Sequence, residues 1–328
     1  MKRVAITMGE PGGVGPEVAV RAAHRAKDIC VPLIIGDKTV IEEALCMLKL
    51  PVRLVVTEEP AAREPAGQEQ DILQIIHTGP AGGYRKGGPT EAGGRASVAA
   101  IRRALELTLA GRLDAMATAP ISKEALRMAG YPWPGHTEML AELTGTTDYA
   151  MMLMGGPLRV MLVTIHEPMR DVPALVTRES VLRTLRLALR AGRMLSIERP
   201  RIAVSGLNPH AGEAGLFGSE EAESIMPAIE EARAEGIAAD GPFPPDTVFL
   251  RASRGEFDIV VSMYHDQGLI PLKLLAFETG VNVTVGLPVI RTSPDHGTAY
   301  DIAWKGRAES SSMVEAVKAA VNLRLPRD

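Results

Sequence analysis

Aromatic residues make up only 4% of the 328-residue sequence, too few for the stacking platforms that hold single-stranded nucleic acid. There is no basic excess either. Lys and Arg number 36 against 40 Asp and Glu, a formal net charge of −4, which offers nothing to a nucleic-acid backbone or an acidic membrane. The two cysteines, Cys30 and Cys46, form no C-x-x-C pair. Neither a metal knuckle nor a disulfide framework is expected, and a reducing compartment fits. No apolar run approaches the roughly 18 residues of a membrane span, and the short run before Gly9 is too brief for a signal peptide. A soluble, cytoplasmic protein is expected. What the chain does have is 46% hydrophobic residues, 32 glycines and 24 prolines, hence ample core and many short connections. Its length suits two domains of about 150 residues each.

The N-terminal half alternates strand and helix. Val4 to Thr7 reads as a buried strand that turns through MGEPGGVGPE into a helix near Pro16, a favoured first helical position. The turn is neither G-x-G-x-x-G nor a P-loop, so it is a weak nucleotide signal. Strands at Val31 to Ile35 and Val52 to Val56 flank a helix at Thr39 to Leu48, the pattern of a mostly parallel, doubly covered sheet. Residues 58–72 read as a polar surface connection. The glycine-dense GPAGGYRKGGPTEAGGRAS reads as a loop before a helix at Ala96 to Ala110, with a substrate-covering role as its functional reading. A strand at Asp114 to Ala119 runs into TAPISKEAL, with Ser122 as helix cap and Lys123 beside it. GHTE places His136 and Thr137 at a helix entrance, where free backbone amides suit anions. Beyond it, Tyr149 to Met154 and Leu158 to Ile165 flank Gly155-Gly156-Pro157 as a hairpin.

The richest stretch is Tyr264 to Asp301, where His265, Asp266, Lys273, Asn282, Arg291, Asp295 and His296 are separated by glycines and prolines. It reads as loop rather than helical face, directly after the strand-like FDIVVSMY. Three histidines share one local pattern of apolar strand, His, then turn: His166 after LRVMLVTI, His210 after RIAVSGLNP and His265 after FDIVVSMY. At the same end of three strands they would converge as imidazole ligands of a catalytic divalent metal. Asp246 and Asp266 are candidates to orient them, with Asn208 and Glu213 behind. Lys273, Asn282, Arg291, His136 and Thr137 suit a small anion, Arg as a bidentate fork and Lys as a point charge.

The motifs TMGEPGGVGPE, TAPISKEAL, GHTEMLAELTGT, LNPHAGEAGLFGSEE, GPFPPDTVF, YHDQGLIPLK and VNVTVGLPVIRTSPDHGTAYDIA occur in this order along the whole chain. Together they resemble the 4-hydroxythreonine-4-phosphate dehydrogenase family of vitamin B6 biosynthesis. The resemblance implies an isocitrate/isopropylmalate dehydrogenase-like α/β fold, not Rossmann: two α/β/α domains around a cleft. The first would hold residues 1–135 and 286–328, the second 136–285 with the metal ligands and dimer interface. It implies a homodimer with active sites at the subunit interface, NAD or NADP, and one divalent ion (Zn, Mg, Co or Mn). His166, His210 and His265 correspond to the metal ligands, His265 coming from the partner subunit. His136, Thr137, Lys273, Asn282 and Arg291 correspond to substrate-binding residues.

The implied reaction oxidises 4-phosphohydroxy-L-threonine at C3 and decarboxylates it to 3-amino-2-oxopropyl phosphate, with Lys273, Asp266 and Asp246 as catalytic candidates. Glu10 and Gly12 replace the usual Asp and Ala of the first motif, Glu167 follows His166 in place of an apolar residue, and Trp304 stands where Gly is common. A branch of the family oxidising 4-phospho-D-threonate or 4-phospho-D-erythronate would use the same contacts. A metal-dependent phosphometabolite hydrolase would suit the histidines too, and a non-catalytic phosphometabolite-binding protein the anion-binding set.

Overall fold

The computed structural model describes residues 1–59 and 71–326, so the polar connection read at 58–72 lies mostly outside the described residues. The chain begins β1 (Arg3–Thr7), α1 (Gly15–Arg25), β2 (Val31–Gly36), α2 (Lys38–Leu48), β3 (Val52–Val56) and β4 (Asp71–His77). It continues α3 (Glu91–Leu109), β5 (Ala115–Thr118), α4 (Lys123–Met128), α5 (His136–Thr144), β6 (Ala150–Gly155) and β7 (Leu158–Leu162). Next come α6 (Val172–Leu175), α7 (Arg178–Met194), β8 (Ile202–Ser205), α8 (Met226–Ala234), β9 (Ala239–Phe243) and α9 (Val248–Ser253). The last elements are β10 (Ile259–Ser262), α10 (His265–Ala276), β11 (Val281–Val285), β12 (Arg291–Pro294) and α11 (Ser311–Asn322).

Two compact units result: Met1–Thr147 with Leu287–Asn322, and Asp148–Gly286 with the residues from Leu323 onward. Helix α5 therefore sits in the first unit, where the sequence reading had it opening the second. Trp133 Nε1 ties it to the preceding segment by donating to Glu142 Oε2 at 2.9 Å. The C-terminal tail leaves the first unit, because Arg324 N donates to Met194 O at 2.9 Å.

In the first unit the strands run β3-β4-β2-β1-β5-β12, every neighbouring pair parallel. Parallel strands covered on both faces are mostly apolar, as the buried β1 from Val4 to Thr7 and β5 are; β12, Arg-Thr-Ser-Pro, is fully buried too but polar. Strand β4 was missed because its polar start follows directly on the polar connection. Helix α3 starts at Glu91 rather than Ala96, since Thr90 caps it by accepting from Gly93 N at 3.0 Å.

The glycine-dense loop before α3 is pinned to its own unit. Ala81 N donates to Asp37 Oδ2 at 2.7 Å, Gly87 N to Gly12 O at 2.8 Å, and Tyr84 OH to Glu43 Oε2 at 3.0 Å. Lys86 pairs with Glu43 at 2.7 Å and lies 4.2 Å from the Trp304 ring centroid. Trp304 in turn donates through Nε1 to Pro11 O at 2.8 Å, so its bulk braces the loop after β1. Gly12 has no room for a side chain: a Cβ there would stand 2.5 Å from the carbonyl oxygens of both Arg85 and Gly88.

In the second unit the order is β11-β6-β7-β10-β8-β9. Strands β7, β10, β8 and β9 are parallel, and β6 runs antiparallel to both neighbours. The hairpin read from Gly155-Gly156-Pro157 is thus the β6–β7 turn. Val160, Ala203 and Val260 join Val248, Phe249 and Leu272 in its core. The two α/β/α units and the expected fold class agree. One element differs plainly. The stretch from His265 to Ala276, read as loop, is a helix that contains Pro271. An interior proline costs about 3 kcal/mol, but burial of Leu269, Leu272 and Ala276 offsets it. Gly268 lets the helix lie close on β7, since a Cβ there would stand 2.6 Å from Val160 Cγ1. Among the described residues no helix is long and apolar enough to cross a membrane.

Glu10 is wholly buried, and its Oε2 has no hydrogen-bond partner. Burial pushes its carboxyl up to about 7, against the Gly12 N–H that donates to Oε1 and favours the anion. Between the ordinary value of 4.5 and about 7, the native state keeps a proton that the unfolded chain has released. Stability therefore falls as pH rises through that window. Glu10→Gln removes the effect, so the stability difference between variant and wild type should widen in the variant's favour by about 2–3 kcal/mol from pH 5 to pH 8. Denaturant unfolding at the two pH values measures it, and a constant difference would contradict it.

Candidate active site

Strands β7, β10 and β8 are adjacent and parallel, so their C-terminal ends emerge side by side. Leu162 pairs with Ser262, and Val261 with Val204. The ladder continues past the strands: Val163 N donates to Ser262 O at 2.9 Å and Thr164 N to Met263 O at 3.1 Å. The Thr164 hydroxyl adds a bond to the same carbonyl at 2.7 Å. This register delivers His166 and His265 to one place, ring centroids 5.5 Å apart, in a cavity of about 230 Å³ that Tyr264, Glu167 and Met169 also line.

His210 follows the third strand but stays apart from that pair. Its exposed ring lies 6.2 Å from the Phe217 ring, and Nδ1 is 4.0 Å from Glu213 Oε2. Among the described residues, no three His, Cys, Asp or Glu side chains are grouped as a metal cage. The turn that carries His210 is unusual. His210, Ala211, Gly212, Glu213 and Ala214 all have positive φ, from 44° to 82°, a single left-handed turn. It costs about 1–2 kcal/mol per residue with a Cβ, so something must hold it.

His265 is the first residue of α10, and its Nδ1 lies 2.7 Å from Asp266 Oδ1. That contact fixes the ring and leaves Nε2 to face a ligand. Helical spacing puts Asp266, Ile270, Lys273 and Phe277 on one face. Around that face Ile270 is 65% exposed, Leu274 84% and Phe277 79%. Asp246 is exposed in the turn before α9. Asn282, on β11, donates to Met151 Sδ at 3.0 Å, and its buried Oδ1 has no hydrogen-bond partner.

The remaining candidates lie in the first unit. Arg291 opens β12 fully inside, 2% exposed, and donates through Nε and Nη2 to Thr118 Oγ1 at 3.1 and 2.8 Å. Burial lowers its pKa to about 9. His136 and Thr137 begin α5 as expected. Burial, then the Arg291 charge, holds His136 well below its ordinary 6.5, so it is a neutral imidazole. Its buried Nε2 has no hydrogen-bond partner. A buried cation beside an unsatisfied imidazole nitrogen at a helix N-terminus is an arrangement that an anion completes. Lys123 is an exposed helix-start residue.

Two contributors escaped the sequence reading. Thr118, which seats Arg291, sits inside an ordinary apolar strand and carries no signal. Glu221 appeared only within the LNPHAGEAGLFGSEE motif, yet its carboxylate accepts from the main chain before His210.

The profile described as "Pyridoxal phosphate biosynthetic protein PdxA" matches residues 28–320. The chain is 50% identical over 323 residues to the 4-hydroxythreonine-4-phosphate dehydrogenase of Geobacter metallireducens, covering 98% of this chain and 95% of that one. It is 46% identical over 329 residues to the D-threonate 4-phosphate dehydrogenase of Cupriavidus necator, covering 99% and 98%. The crystal structure of 4-hydroxythreonine-4-phosphate dehydrogenase from Klebsiella pneumoniae superposes with a TM-score of 0.89 at 43% identity, covering 98% and 97%. Similarity at this level along the whole chain makes it an oxidoreductase that belongs to the family of the pyridoxal phosphate biosynthetic protein PdxA.

Proposed function

We propose that the protein oxidises 4-phosphohydroxy-L-threonine at C3 with NAD or NADP and that the product loses CO2 to give 3-amino-2-oxopropyl phosphate. The observation that carries this reading is the pairing of His166 and His265 at the ends of parallel strands, in a chain so similar to dehydrogenases of that name. The phosphorylated D-threonate or D-erythronate is the second reading, favoured by the 46% identity to a D-threonate 4-phosphate dehydrogenase.

His166, His210 and His265 would hold the divalent cation. The fit rests on the 5.5 Å imidazole pair and its cavity, which lie within one chain although the resemblance assigns His265 to the partner; His210, apart from that pair, is the third donor by its correspondence to the family's ligand set alone. Imidazole donors suit Zn, Co or Mn better than Mg, which prefers oxygen. When bound, such an ion supplies Lewis-acid polarisation of the substrate hydroxyl. Arg291 and the neutral His136, with Thr137, bind the phosphate. Asn282 offers Oδ1 to a substrate donor, and Lys273 meets the substrate at the reacting hydroxyl. The hydroxyl proton passes to Lys273 or through Asp266, while C3 gives hydride to the nicotinamide. Asp266 is engaged by His265 Nδ1, which favours an orienting role for it.

The active unit is proposed to be a homodimer, the partner subunit supplying part of each site. The supporting feature is α10, whose exposed apolar face bears Asp266 and Lys273 as well as Ile270 and Phe277. A large apolar face left in water is costly, and a second copy would cover it beside the candidate base.

Three measurements follow. NADH or NADPH formation with Zn²⁺, Co²⁺, Mn²⁺ or Mg²⁺ should be fastest with 4-phosphohydroxy-L-threonine. Preference for either sugar-acid phosphate would select the second reading, and phosphate release without reduced nicotinamide would select a hydrolase. Arg291→Met should lower kcat/KM on the order of 100-fold, mainly through KM, because a buried phosphate partner is lost; an unchanged KM would remove Arg291 from the phosphate site. Leu274→Asp combined with Phe277→Asp should turn a dimer into monomer in sedimentation velocity and abolish turnover. Wild-type protein that sediments as a monomer would sink the shared-site proposal.

A further inference from the structure

We propose that Glu221 is the positioning residue that shapes the left-handed turn and thereby aims His210. This rests on the reading of His210 as a metal ligand. The Glu221 carboxylate is buried, 5% exposed, yet its bonds go to backbone and amide groups leading into the turn. Oε1 accepts from Leu207 N at 2.8 Å and Asn208 N at 2.7 Å, and Oε2 from Asn208 Nδ2 at 3.0 Å. The same Asn208 amide donates to Glu220 Oε2 at 2.8 Å. Asn208 O then accepts from Ala211 N at 3.1 Å, closing the first part of the turn. Two residues before His210, the chain is therefore clamped at both main chain and side chain.

The clamp is tied to the other histidines. Gln267, buried on α10, donates through Nε2 to Gly206 O at 2.7 Å and accepts from Met263 N through Oε1 at 2.7 Å. One amide thus joins the chain leaving β8 to the chain leaving β10, next to His265. Gln267 fixes where the His210 segment starts, and Glu221 fixes the direction it takes. Glu221 also begins a π-helical turn, Glu221–Ile225, ahead of α8. Such single turns re-aim side chains and recur at functional sites. A carboxylate, unlike an amide, can take three donors at once with no donor of its own left over.

The test is Co²⁺ binding to the metal-free full-length protein, followed by its visible absorption, with amide hydrogen exchange of residues 207–217 read on the same metal-free samples. His210→Ala should weaken Co²⁺ binding. Glu221→Ala should weaken it about 10–100-fold and raise exchange in 207–217 alone, leaving β7, β10 and α10 protected. Glu221→Gln keeps one oxygen for the two main-chain donors and should restore most of both. Wild-type Co²⁺ affinity in Glu221→Ala, alongside weakened binding in His210→Ala, would overturn the positioning role. So would a loss of protection spread through the whole second unit and not rescued by Gln, which marks a merely structural residue. If His210→Ala binds Co²⁺ as wild type does, the metal reading of His210 fails and the proposal falls with it, whatever Glu221→Ala shows.

Discussion

The parallel register of β7, β10 and β8 is the constraint on which the second unit depends. Side chains alternate along a strand, so a slip of one residue would exchange its two buried faces and break the packing of Val160, Ala203 and Val260 in the core. Burial on both faces therefore locks the pairing Leu162 with Ser262 and Val261 with Val204. Once that is locked, the chain has few ways to leave the sheet. The Thr164–Met263 contacts carry the register beyond the strand ends, and His166 and His265 meet because their strands do.

The first unit solves a different problem. It buries an imidazole nitrogen and a carboxylate oxygen that have no hydrogen-bond partner, on His136 and Glu10, and it buries the Arg291 guanidinium as well. Unpaired polar burial is costly, and it persists where function needs the group ready for a ligand. The three differ in how they bear burial. His136 stays neutral and Arg291 is seated on Thr118. Glu10 shifts its pKa to near 7 instead, which makes its cost depend on pH.

Much of this was legible in the sequence, for definite reasons. Apolar runs bounded by glycine or proline located β1, β2, β3 and the β6–β7 hairpin, because doubly covered strands are mostly apolar and tight turns must have such residues. The repeated pattern of strand, histidine and turn singled out His166, His210 and His265, of which the structure brings His166 and His265 together. What failed was punctuation used alone. Gly268 and Pro271 signal a loop, but here the glycine permits close packing on Val160, and burial of Leu269 and Leu272 outweighs the proline. Strand β4 was hidden by the polar residues before it. The left-handed turn at His210 was invisible, because nothing in NPHAGEAG requires positive φ at residues with a Cβ. A carboxylate from eleven positions further on, Glu221, reaches back to the main chain just before it.

That separation explains how one local sequence can yield a strained ligand-bearing turn. Left-handed residues cannot be paid for by their own neighbours, since each clashes with its own carbonyl. The offset has to come from a group fixed elsewhere, and a buried carboxylate is strong enough because its hydrogen bonds are charge-assisted. Glu221 is in turn fixed by the helix it precedes, and Gly206 by Gln267. Strain at His210 is thus transferred to the core of the second unit, where packed residues bear it cooperatively. A histidine on an unsupported loop would lose affinity to its own motion. One held this way keeps its direction, which is what preorganisation of a side chain requires.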